Sequence, residues 1–333
     1  MIFVLQEIKD FAQSLSKINE TNFEEIALCL FNLQYKNNLL YQTYADNLGR
    51  KPDSVITLKD IPFFPISFFK THTVKTGRWG SKMEFISSGT TGSVTSQHSV
   101  LDPNFYLRNS VNCFEYFFGS LSNYHFLALL PSYLERTGSS LVAMMDYFIK
   151  QDSSGQSGFF LKNEQDLLRK LIELKSSSKK IILWGVSFAL LDLAEKEEID
   201  LSHCMIIETG GMKGRRKELT REELHGFLCE GFKVEAIHSE YGMTELMSQA
   251  YALDRGYFQC PPWMKVILRD VNDPFESVDR GRVGAINIID LANAHSCAFI
   301  ETEDLGRITK DGYFEVLGRM DNSDIRGCNL MLS

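Results

Sequence analysis

The chain has 333 residues, of which 44% are hydrophobic, and carries a formal net charge of -8 at pH 7. It is long enough to bury a large core, in one large domain with subdomains or in two domains. The negative charge and the lack of a basic stripe argue against nucleic-acid binding, and no apolar run is long enough for a membrane span. Residues 1–7 also lack the basic and long apolar regions of a signal peptide, so we expect a cytoplasmic protein.

The cysteines predict reduced thiols rather than disulfides or a zinc cluster. They are odd in number and include no Cys-x-x-Cys pair. Their positions are Cys29, Cys113, Cys204, Cys229, Cys260, Cys297 and Cys328. Two His/Cys groups, at 203–204 and 295–297, could supply metal ligands only if the fold brought them together.

The N-terminal part is predicted to be helical. Apolar positions at helical spacing run through residues 1–48, with Thr21 or Asn22 available as an N-cap. We therefore predict a helical N-terminal extension over residues 1–55. Residues 61–70 contain two prolines, which exclude a long helix, and several phenylalanines that require burial, so this segment should pack as a strap across the body.

From residue 102 onward, apolar strands and helices alternate. Asp102-Pro103 is typical of an N-cap followed by proline at the first helical position, and predicts a helix to about Phe118. Further strands are predicted at 124–130, 180–184, 204–208 and 234–237, and further helices at 139–150, 187–197 and 218–230. This alternation predicts an α/β fold with a mainly parallel sheet covered by helices, and with ligands at the carboxyl ends of the strands.

The first of four polar clusters is a predicted phosphate loop. It follows an apolar run and consists of Ser87, Ser88, Gly89, Thr90, Thr91 and Gly92. Glycine permits the tight turns and close backbone approach that such a loop needs, while hydroxyls add donors to the backbone N–H groups. The Gly-Lys-Ser/Thr of the ATPase P-loop is missing, and by itself a Ser/Thr/Gly run is more often a surface loop.

The second cluster follows the predicted strand at 234–237. It contains Tyr241, Gly242, Met243, Thr244 and Glu245. An aromatic ring beside a glycine can lie against a base, while the Thr hydroxyl and Glu carboxylate can meet a phosphate and its Mg²⁺. A strand-to-helix loop with Thr244 as the N-cap is the alternative interpretation.

The third and fourth clusters lie near the end of the chain. Residues 301–306 include Asp304 and follow a predicted short strand at 298–300; a carboxylate at a strand end can accept hydrogen bonds from ribose hydroxyls, although an acidic hairpin turn would give the same pattern. Residues 317–321 place the cation Arg319 beside an acid.

In this order and at these separations, the four clusters resemble the adenylate-forming superfamily of acyl-CoA synthetases, luciferases and peptide-synthetase adenylation domains. The matching features are the phosphate loop Ser87–Gly92, the aromatic-Gly-x-Thr-Glu motif Tyr241–Glu245, the ribose-binding aspartate Asp304, and Arg319 as the arginine before the interdomain hinge. Within the superfamily the chain is most similar to the LuxE-type acyl-protein synthetases of the bacterial bioluminescence operon, through residues 131–141 and 326–328. It is also similar to phenylacetate-CoA ligases, with Thr95 near the place of a lysine that many members carry. The likeness spans roughly residues 60–333.

The resemblance implies an adenylate-forming large domain over residues 56–333, whose last part, from about 260, is a smaller β-rich subdomain ending at the hinge. It also implies that the mobile C-terminal domain with its catalytic lysine is absent or nearly so. The expected reaction converts ATP and a carboxylic acid, a fatty acid being expected, into an acyl-adenylate and pyrophosphate, after which a protein thiol takes the acyl group. The expected cofactors are ATP and Mg²⁺, and the expected partner is an acyl-accepting protein such as a reductase or carrier.

The resemblance also implies roles for individual residues. Thr244 and Glu245 would be catalytic, with Glu245 at the metal, and Gly210 and Gly211 would approach adenine. Trp184 and His238 would line the acyl pocket, although His238 could instead contact phosphate. Cys328 would carry the acyl group. The alternatives are a solvated turn at 210–216, a structural histidine at 238, plain core at 184 and a packed cysteine at 328. For the whole chain, the alternatives are an acyl- or aryl-CoA ligase and a binding subunit that retains the nucleotide fold without full catalysis.

Overall fold

The structure, a computed structural model, describes residues 2–87, 94–131, 138–160, 164–196, 199–210 and 219–320. Its α-helices are α1 Ile2–Ser14, α2 Phe23–Asn37, α3 Leu39–Asn47, α4 Phe68–Thr71, α5 Pro103–Phe118, α6 Ser140–Gln151, α7 Glu164–Leu174, α8 Ser187–Lys196 and α9 Arg221–Phe232. Its strands are β1 Phe64–Pro65, β2 Met83–Ile86, β3 Gln97–Val100, β4 Tyr124–Leu129, β5 Gly158–Phe159, β6 Lys180–Val186, β7 Cys204–Thr209, β8 His238–Tyr241, β9 Ala250–Ala252, β10 Phe258–Gln259, β11 Met264–Arg269, β12 Val283–Asp290, β13 Phe299–Ile308 and β14 Phe314–Arg319. Short 3-10 helices lie at Leu15–Lys17, Leu58–Asp60 and Leu121–Asn123.

Most strands join in one mixed sheet. Among the described residues it has twelve strands, in the order β11-β12-β13-β14-β10-β9-β8-β7-β6-β4-β5, with β1 beside β13. Strands β5, β4, β6, β7 and β8 are parallel neighbours, whereas β8 through β14 pair antiparallel. The predicted α/β fold with a large, helix-covered sheet is therefore confirmed, and the antiparallel strands after residue 257 continue the same sheet.

The parallel half of the sheet forms because its strands are apolar along their length. Every residue of β4 is buried, as expected for a strand covered on both faces. Helix α5 begins where Asp102 accepts a hydrogen bond from the backbone N–H of Asn104 at 3.1 Å, with Pro103 at the first turn. Its apolar side packs on the sheet through Phe114, whose ring centroid lies 6.2 Å from that of Trp184. The helix predicted from Asp102-Pro103 is confirmed.

The N-terminal helices pack into the same core as the sheet. Gln34 of α2 is fully buried, and its Nε2 donates to the carbonyl oxygens of Asn293 and Ala294 at 3.0 and 3.2 Å. Its Oε1 accepts from the backbone N–H of Ala298 at 3.0 Å. The predicted helicity of residues 1–48 is confirmed by α1, α2 and α3, while the domain boundary at residue 55 stays a prediction.

The proline- and phenylalanine-rich strap lies along the edge of β13. Phe64 of β1 pairs with Ile300, and Pro65 pairs with Glu301, in parallel register. The Phe64 side chain is fully buried, and its ring packs edge-on against Tyr41 at 5.9 Å. The predicted packing role of this segment is confirmed.

Two boundaries differ from the sequence-based prediction. The strand expected at 234–237 lies instead at 238–241, and the chain then runs into β9, so Thr244 does not cap a helix. The strand expected at 298–300 continues to Ile308, so residues 301–306 are not a hairpin turn, and Asp304 lies within a strand rather than at its end. Both errors arise because buried polar side chains hide the apolar alternation of the strand.

The described ranges contain neither a membrane-spanning helix nor a cluster of metal ligands. No helix there combines the length and the apolar character needed to cross a bilayer. No group of three or more His, Cys, Asp or Glu side chains in that part of the chain is placed to hold a metal ion. The six cysteines within these ranges are free thiols.

Candidate active site

The candidate site lies where β7 and β8 end side by side. Thr209, the last residue of β7, is the register partner of Glu240, and Tyr241 ends β8. Gly210 follows at φ +74°, a backbone conformation that favours glycine, and its carbonyl oxygen accepts from the Ser187 hydroxyl at 3.2 Å. Ligands of α/β sheets bind at such carboxyl ends. Gly211 lies outside the described residues.

The predicted phosphate loop connects the two strands of a hairpin, β2 and β3. Its first residue, Ser87, donates its backbone N–H to the carbonyl oxygen of Ser96 at 3.0 Å and accepts the Ser96 backbone N–H on its hydroxyl at 2.8 Å. These two bonds close the base of the loop. Ser88, Gly89, Thr90, Thr91 and Gly92 lie outside the described residues.

This hairpin is joined to the Thr244-Glu245 pair. His98 of β3 is buried, and its Nδ1 lies 2.9 Å from the carbonyl oxygen of Thr244, which requires the ring to carry its proton on Nδ1. Burial lowers the pKa of His98 to about 4, so the ring is neutral at pH 7. Burial raises the pKa of the Glu245 carboxyl, and the neighbouring Ser96 side chain opposes this rise. The fold thus places the base of the predicted phosphate loop against the predicted catalytic pair.

The segment after Glu245 is held by Asp290, at the end of β12. This carboxylate is fully buried and accepts from the backbone N–H groups of Met247 at 2.7 Å and Ser248 at 3.0 Å. It also accepts from the Ser248 hydroxyl at 2.7 Å and the Ala292 N–H at 3.2 Å. The sequence analysis did not identify Asp290 because it ends an apolar run that reads as ordinary core.

Two amides complete this support. Asn293 donates its Nδ2 to the carbonyl oxygen of Glu245 at 2.7 Å, and Asn109 of α5 donates its Nδ2 to that of Met247 at 2.8 Å. The backbone of residues 244–248 is therefore fixed from three directions, by β3, by α5 and by the end of β12. These supporting residues were also missed, and only their tertiary contacts identify them.

Asp304 lies opposite the motif tyrosine. Tyr241 donates its hydroxyl to Asp304 Oδ2 at 2.8 Å, and Arg319, the cross-strand partner of Asp304, places its Nε 3.5 Å from Oδ1. Burial raises the pKa of Asp304, and Tyr241 and Arg319 oppose this rise. Burial and Asp304 raise the pKa of Tyr241 well above its usual value, so the hydroxyl keeps its proton. The Arg319 side chain is mostly exposed, at 74%, and is free to reach a ligand.

The face of the sheet that α8 and α9 cover holds an ion pair. Glu208 of β7 is buried and contacts Arg221 and the hydroxyl of Ser187, the latter at 2.9 Å. His225 Nε2 lies 3.6 Å from Glu208 Oε1. Burial alone would raise the pKa of Glu208, but Arg221 and His225 outweigh it and hold the pKa at about 2.

The two predicted acyl-pocket residues share the opposite face. Trp184 and Ile207 are register partners, as are Ile207 and His238, so all three project to the same side. Trp184 is fully buried, and its ring lies 6.1 Å from that of Tyr251. His238 packs edge-on against Phe118 at 5.6 Å, and burial lowers its pKa. The predicted acyl carrier, Cys328, lies outside the described residues.

Comparisons with known proteins show which family and fold the chain resembles. The chain is 24% identical over 369 aligned positions to a long-chain-fatty-acid–luciferin-component ligase of Aliivibrio fischeri, covering 100% of this chain and 95% of the relative. Among solved structures, ATP-bound MatB from Rhodopseudomonas palustris aligns with a TM-score of 0.54 at 19% identity, over 73% of this chain and 49% of MatB. A 2-hydroxyisobutyryl-CoA ligase in complex with an acyl-AMP aligns with a TM-score of 0.61 at 12% identity, over 91% of this chain and 69% of the ligase.

These structural likenesses establish the adenylate-forming fold, although the chain spans only about half the length of MatB. The family model for acyl-protein synthetase, LuxE, matches residues 133–333, more than half of the chain. The chain therefore belongs to the LuxE family of acyl-protein synthetases.

Proposed function

We propose that the protein activates a carboxylic acid, a fatty acid being the expected class, as an acyl-adenylate and then transfers the acyl group to a protein thiol. The name of the Aliivibrio fischeri relative, a ligase of long-chain fatty acid, supports this activity. The single observation that carries the proposal is the joint between the β2–β3 hairpin and the Thr244-Glu245 pair, made by His98 and Ser96. This joint brings the base of the predicted phosphate loop against the predicted catalytic pair, as adenylate formation would require.

The first chemical step joins the acid to AMP. A carboxylate oxygen of the acid attacks the α-phosphorus of ATP, a new O–P bond forms, and the bond to pyrophosphate breaks. The backbone and hydroxyl groups of residues 87–92 would bind the phosphates, and Thr244 would donate to the charge that develops in the transition state. Carboxylate oxygen is the ligand that Mg²⁺ prefers, and the buried Glu245 carboxyl, whose Ser96 contact leaves oxygen lone pairs free, fits that role. When bound, Mg²⁺ would neutralise phosphate charge.

The nucleoside end would lie at Asp304 and Tyr241. The Asp304 carboxylate can accept hydrogen bonds from ribose hydroxyls, and Tyr241 would present its ring to the base, with Gly210 and Gly211 close to adenine. Arg319 is exposed enough to contact the phosphates. In the second step a thiolate, for which we propose Cys328, attacks the acyl carbonyl carbon, and AMP leaves with the electrons of the broken C–O bond.

Pyrophosphate exchange tests the first step. Incubation with ATP, Mg²⁺ and a panel of carboxylic acids should give acid-dependent exchange of labelled pyrophosphate into ATP. Thr244→Ala should lower the exchange rate by about 10²–10³, the usual effect of losing a donor to transition-state charge. Thr43→Ala, on the exposed side of α3, is the matched control. Equal rates for the two variants would contradict the role of Thr244, and no exchange with any acid would contradict adenylation itself.

Labelling tests the second step. With a labelled acid, label should appear on the peptide that contains Cys328 and should be released by hydroxylamine. Cys328→Ser should abolish the label while pyrophosphate exchange continues, because a serine hydroxyl without an activating base is a far weaker nucleophile than a thiolate. Cys29→Ser, at an exposed free thiol, is the control. Label that appears only on added CoA would contradict acyl transfer to protein.

A further inference from the structure

One face of the sheet carries a row of polar side chains beside the Tyr241–Glu245 motif. The registers of β6 to β9 align Val186, Thr209, Glu240 and Tyr251 across four adjacent strands. Register partners project to the same face, so these side chains lie together on the face that also carries Trp184. Gln249, just before β9, and Asn109, on the helix that covers this face, add two amides. Thr209, Glu240, Gln249, Tyr251 and Asn109 are called the Glu240 cluster below.

The Glu240 cluster is buried but incompletely hydrogen-bonded. Its members are at most 7% exposed, and Tyr251 is fully buried. Thr209 donates its hydroxyl to Glu240 Oε2. In the part of the chain that the structure describes, Gln249 Oε1, Asn109 Oδ1 and Tyr251 Oη have no hydrogen-bond partner. Buried polar atoms are nearly always paired, so several unpaired atoms on one face indicate a ligand that supplies the missing partners.

The unpaired atoms mainly need donors. Two are amide oxygens, which only accept, and Glu240 has no ion-pair partner among the described residues, in contrast to Glu208, which contacts Arg221. Burial and the neighbouring Glu208 charge raise the pKa of Glu240 to about 7, although Thr209 opposes the rise. A group that donates hydrogen bonds would satisfy the amide oxygens and the carboxyl together.

The cluster lies directly against the motif backbone. A Cβ atom placed on Gly242 would come within 2.5 Å of Glu240 Oε1 and 3.5 Å of Gln249 Cγ. The Glu240 carboxyl thus packs where only glycine leaves room. Along the chain, Glu240 is three residues before Met243 and four before the predicted catalytic Thr244. Trp184, with its own unpaired Nε1, borders the same face. A substrate whose carboxylate is activated at Thr244 would direct the rest of its chain into this region.

We propose that the Glu240 cluster binds a hydrogen-bond donor, a hydroxyl or an ammonium group, carried on the acyl chain of the substrate acid. This proposal rests on the proposed adenylation function and names the class of acid that it takes. An unsubstituted alkyl chain would leave the cluster's polar atoms unpaired. Sites built to hydrogen-bond a substrate group can reject the analogue that lacks it by about 10⁴–10⁵.

Pyrophosphate exchange with matched acids tests the proposal. Straight-chain acids of several lengths are compared with their 2-hydroxy, 3-hydroxy and corresponding amino derivatives, and kcat/KM is measured for each. We expect the best substituted acid to exceed its parent by about 100-fold or more. Tyr251→Phe and Glu240→Leu should each reduce that ratio at least about tenfold. Tyr41→Phe, whose hydroxyl donates to the carbonyl oxygen of Pro62 elsewhere in the core, is the matched control and should keep the ratio.

Glu240→Gln distinguishes the two donors. An amide oxygen still accepts from a hydroxyl, so the preference for a hydroxy acid should persist, whereas a preference for an amino acid should be lost with the negative charge. The preference ratio compares two substrates on one variant, so a loss of folded protein cancels from it.

The possible results test donor selection by the Glu240 cluster separately from the proposed adenylation function. If unsubstituted acids exchange as fast as every substituted counterpart, the Glu240 cluster does not select a donor and this inference is wrong, while adenylation stands. The inference is also wrong if Tyr251→Phe and Glu240→Leu keep the wild-type ratio. If no acid supports exchange, the proposed function fails and the inference fails with it.

Discussion

Glu208 and Glu240, on neighbouring strands, have very different pKa values because their surroundings differ. Glu208 and Glu240 are both buried, yet the pKa of Glu208 is held at about 2 and that of Glu240 is raised to about 7. The cause is their partners, because Glu208 contacts Arg221 and His225, whereas Glu240 has the hydroxyl of Thr209. Titratable groups whose pKa values are pushed apart in this way are typical of functional sites.

The raised pKa of Glu240 predicts a specific dependence of stability on pH. Between pH 4.5 and pH 7, the unfolded chain has lost the Glu240 proton while the folded chain keeps it, so the free energy of unfolding should fall as pH rises through this window. The full effect is about 3 kcal/mol, at about 1.4 kcal/mol per pH unit. Urea unfolding at several pH values should show this decline in the wild type, and Glu240→Gln should remove it. Parallel curves for the two proteins would contradict the prediction.

Asp304 should contribute to nucleotide affinity. Asp304→Asn keeps the side-chain shape and an acceptor for Tyr241 but removes the charge, so we expect ATP binding to weaken by about 10- to 100-fold, or roughly 1.5–3 kcal/mol. Isothermal calorimetry measures this directly. Glu303→Gln, the neighbouring carboxylate on the other face of β13, is the control and should bind ATP like the wild type. If both variants bind equally, Asp304 does not contact the ribose.

At the scale of elements, the site depends on segments without regular structure that are held by polar contacts. Residues 242–249 connect β8 to β9 as an extended loop, yet Asp290, Asn293, Asn109 and His98 fix its backbone. A loop held by so many buried bonds behaves as a rigid element. This rigidity is what a catalytic pair such as Thr244-Glu245 needs for precise positioning.

Asp290 should therefore be important for stability as well as geometry. The Asp290 carboxylate accepts four hydrogen bonds, two on each oxygen. In Asp290→Asn an NH₂ group replaces one of these oxygens and therefore faces two donors with which it cannot form a hydrogen bond. We expect the free energy of unfolding to fall by about 2–4 kcal/mol, since bonds to a charged group contribute about 1.5–3 kcal/mol each and one side of the carboxylate is lost. Chemical denaturation of Asp290→Asn measures the loss, with Asp311→Asn in an exposed turn as the control. A change below about 0.5 kcal/mol would contradict the assignment.

The sequence predicted correctly those strands and helices whose buried positions are occupied by apolar residues. The strands near 124–130, 180–184 and 204–208 and the helix from Pro103 were predicted because their apolar residues mark the core directly. The strand at 238–241 was misplaced because Ser239 and Glu240 are polar but buried. The supporting groups Asp290 and Asn293 carry no local signal, since their role exists only after distant segments meet. The four motif clusters were recognised because their residue types follow one another in the order that adenylate-forming enzymes share, and the roles of their residues stay predictions.

For the molecule as a whole, the N-terminal helices are structural partners of the site region. Gln34 bonds to the backbone at residues 293, 294 and 298, next to Asn293, which itself holds the Glu245 carbonyl. The ring of Tyr41 on α3 stacks on Phe299 of β13 at 6.2 Å. The N-terminal helices therefore stabilise the segment that positions the predicted catalytic pair.

Removing the hydrogen bonds of the Gln34 side chain should lower the stability of the protein, because these bonds join α2 to the distant segment 293–298. Gln34→Ala removes the amide that donates to the backbone carbonyls of residues 293, 294 and 296 and that accepts the Ala298 N–H, and we expect the free energy of unfolding to fall by about 2–4 kcal/mol. Gln42→Ala, on the neighbouring helix α3 but only partly buried, is the control. Thermal unfolding checks both variants, and equal melting temperatures would show that the N-terminal helices do not support the core through Gln34.

The separation of these partners along the chain also constrains how the protein is made. Gln34 and Asn293 are 259 residues apart along the chain. In the same way, β1 can pair with β13 only after residues 299–308 have been synthesised. During synthesis the helices and the phenylalanine strap leave the ribosome long before the strand that covers them exists. Contacts of such high sequence separation make folding slow and leave apolar surface exposed to other nascent chains. The nascent N-terminal segment therefore exposes side chains such as Phe31 and Phe64, which are fully buried in the folded protein, until β13 has been made.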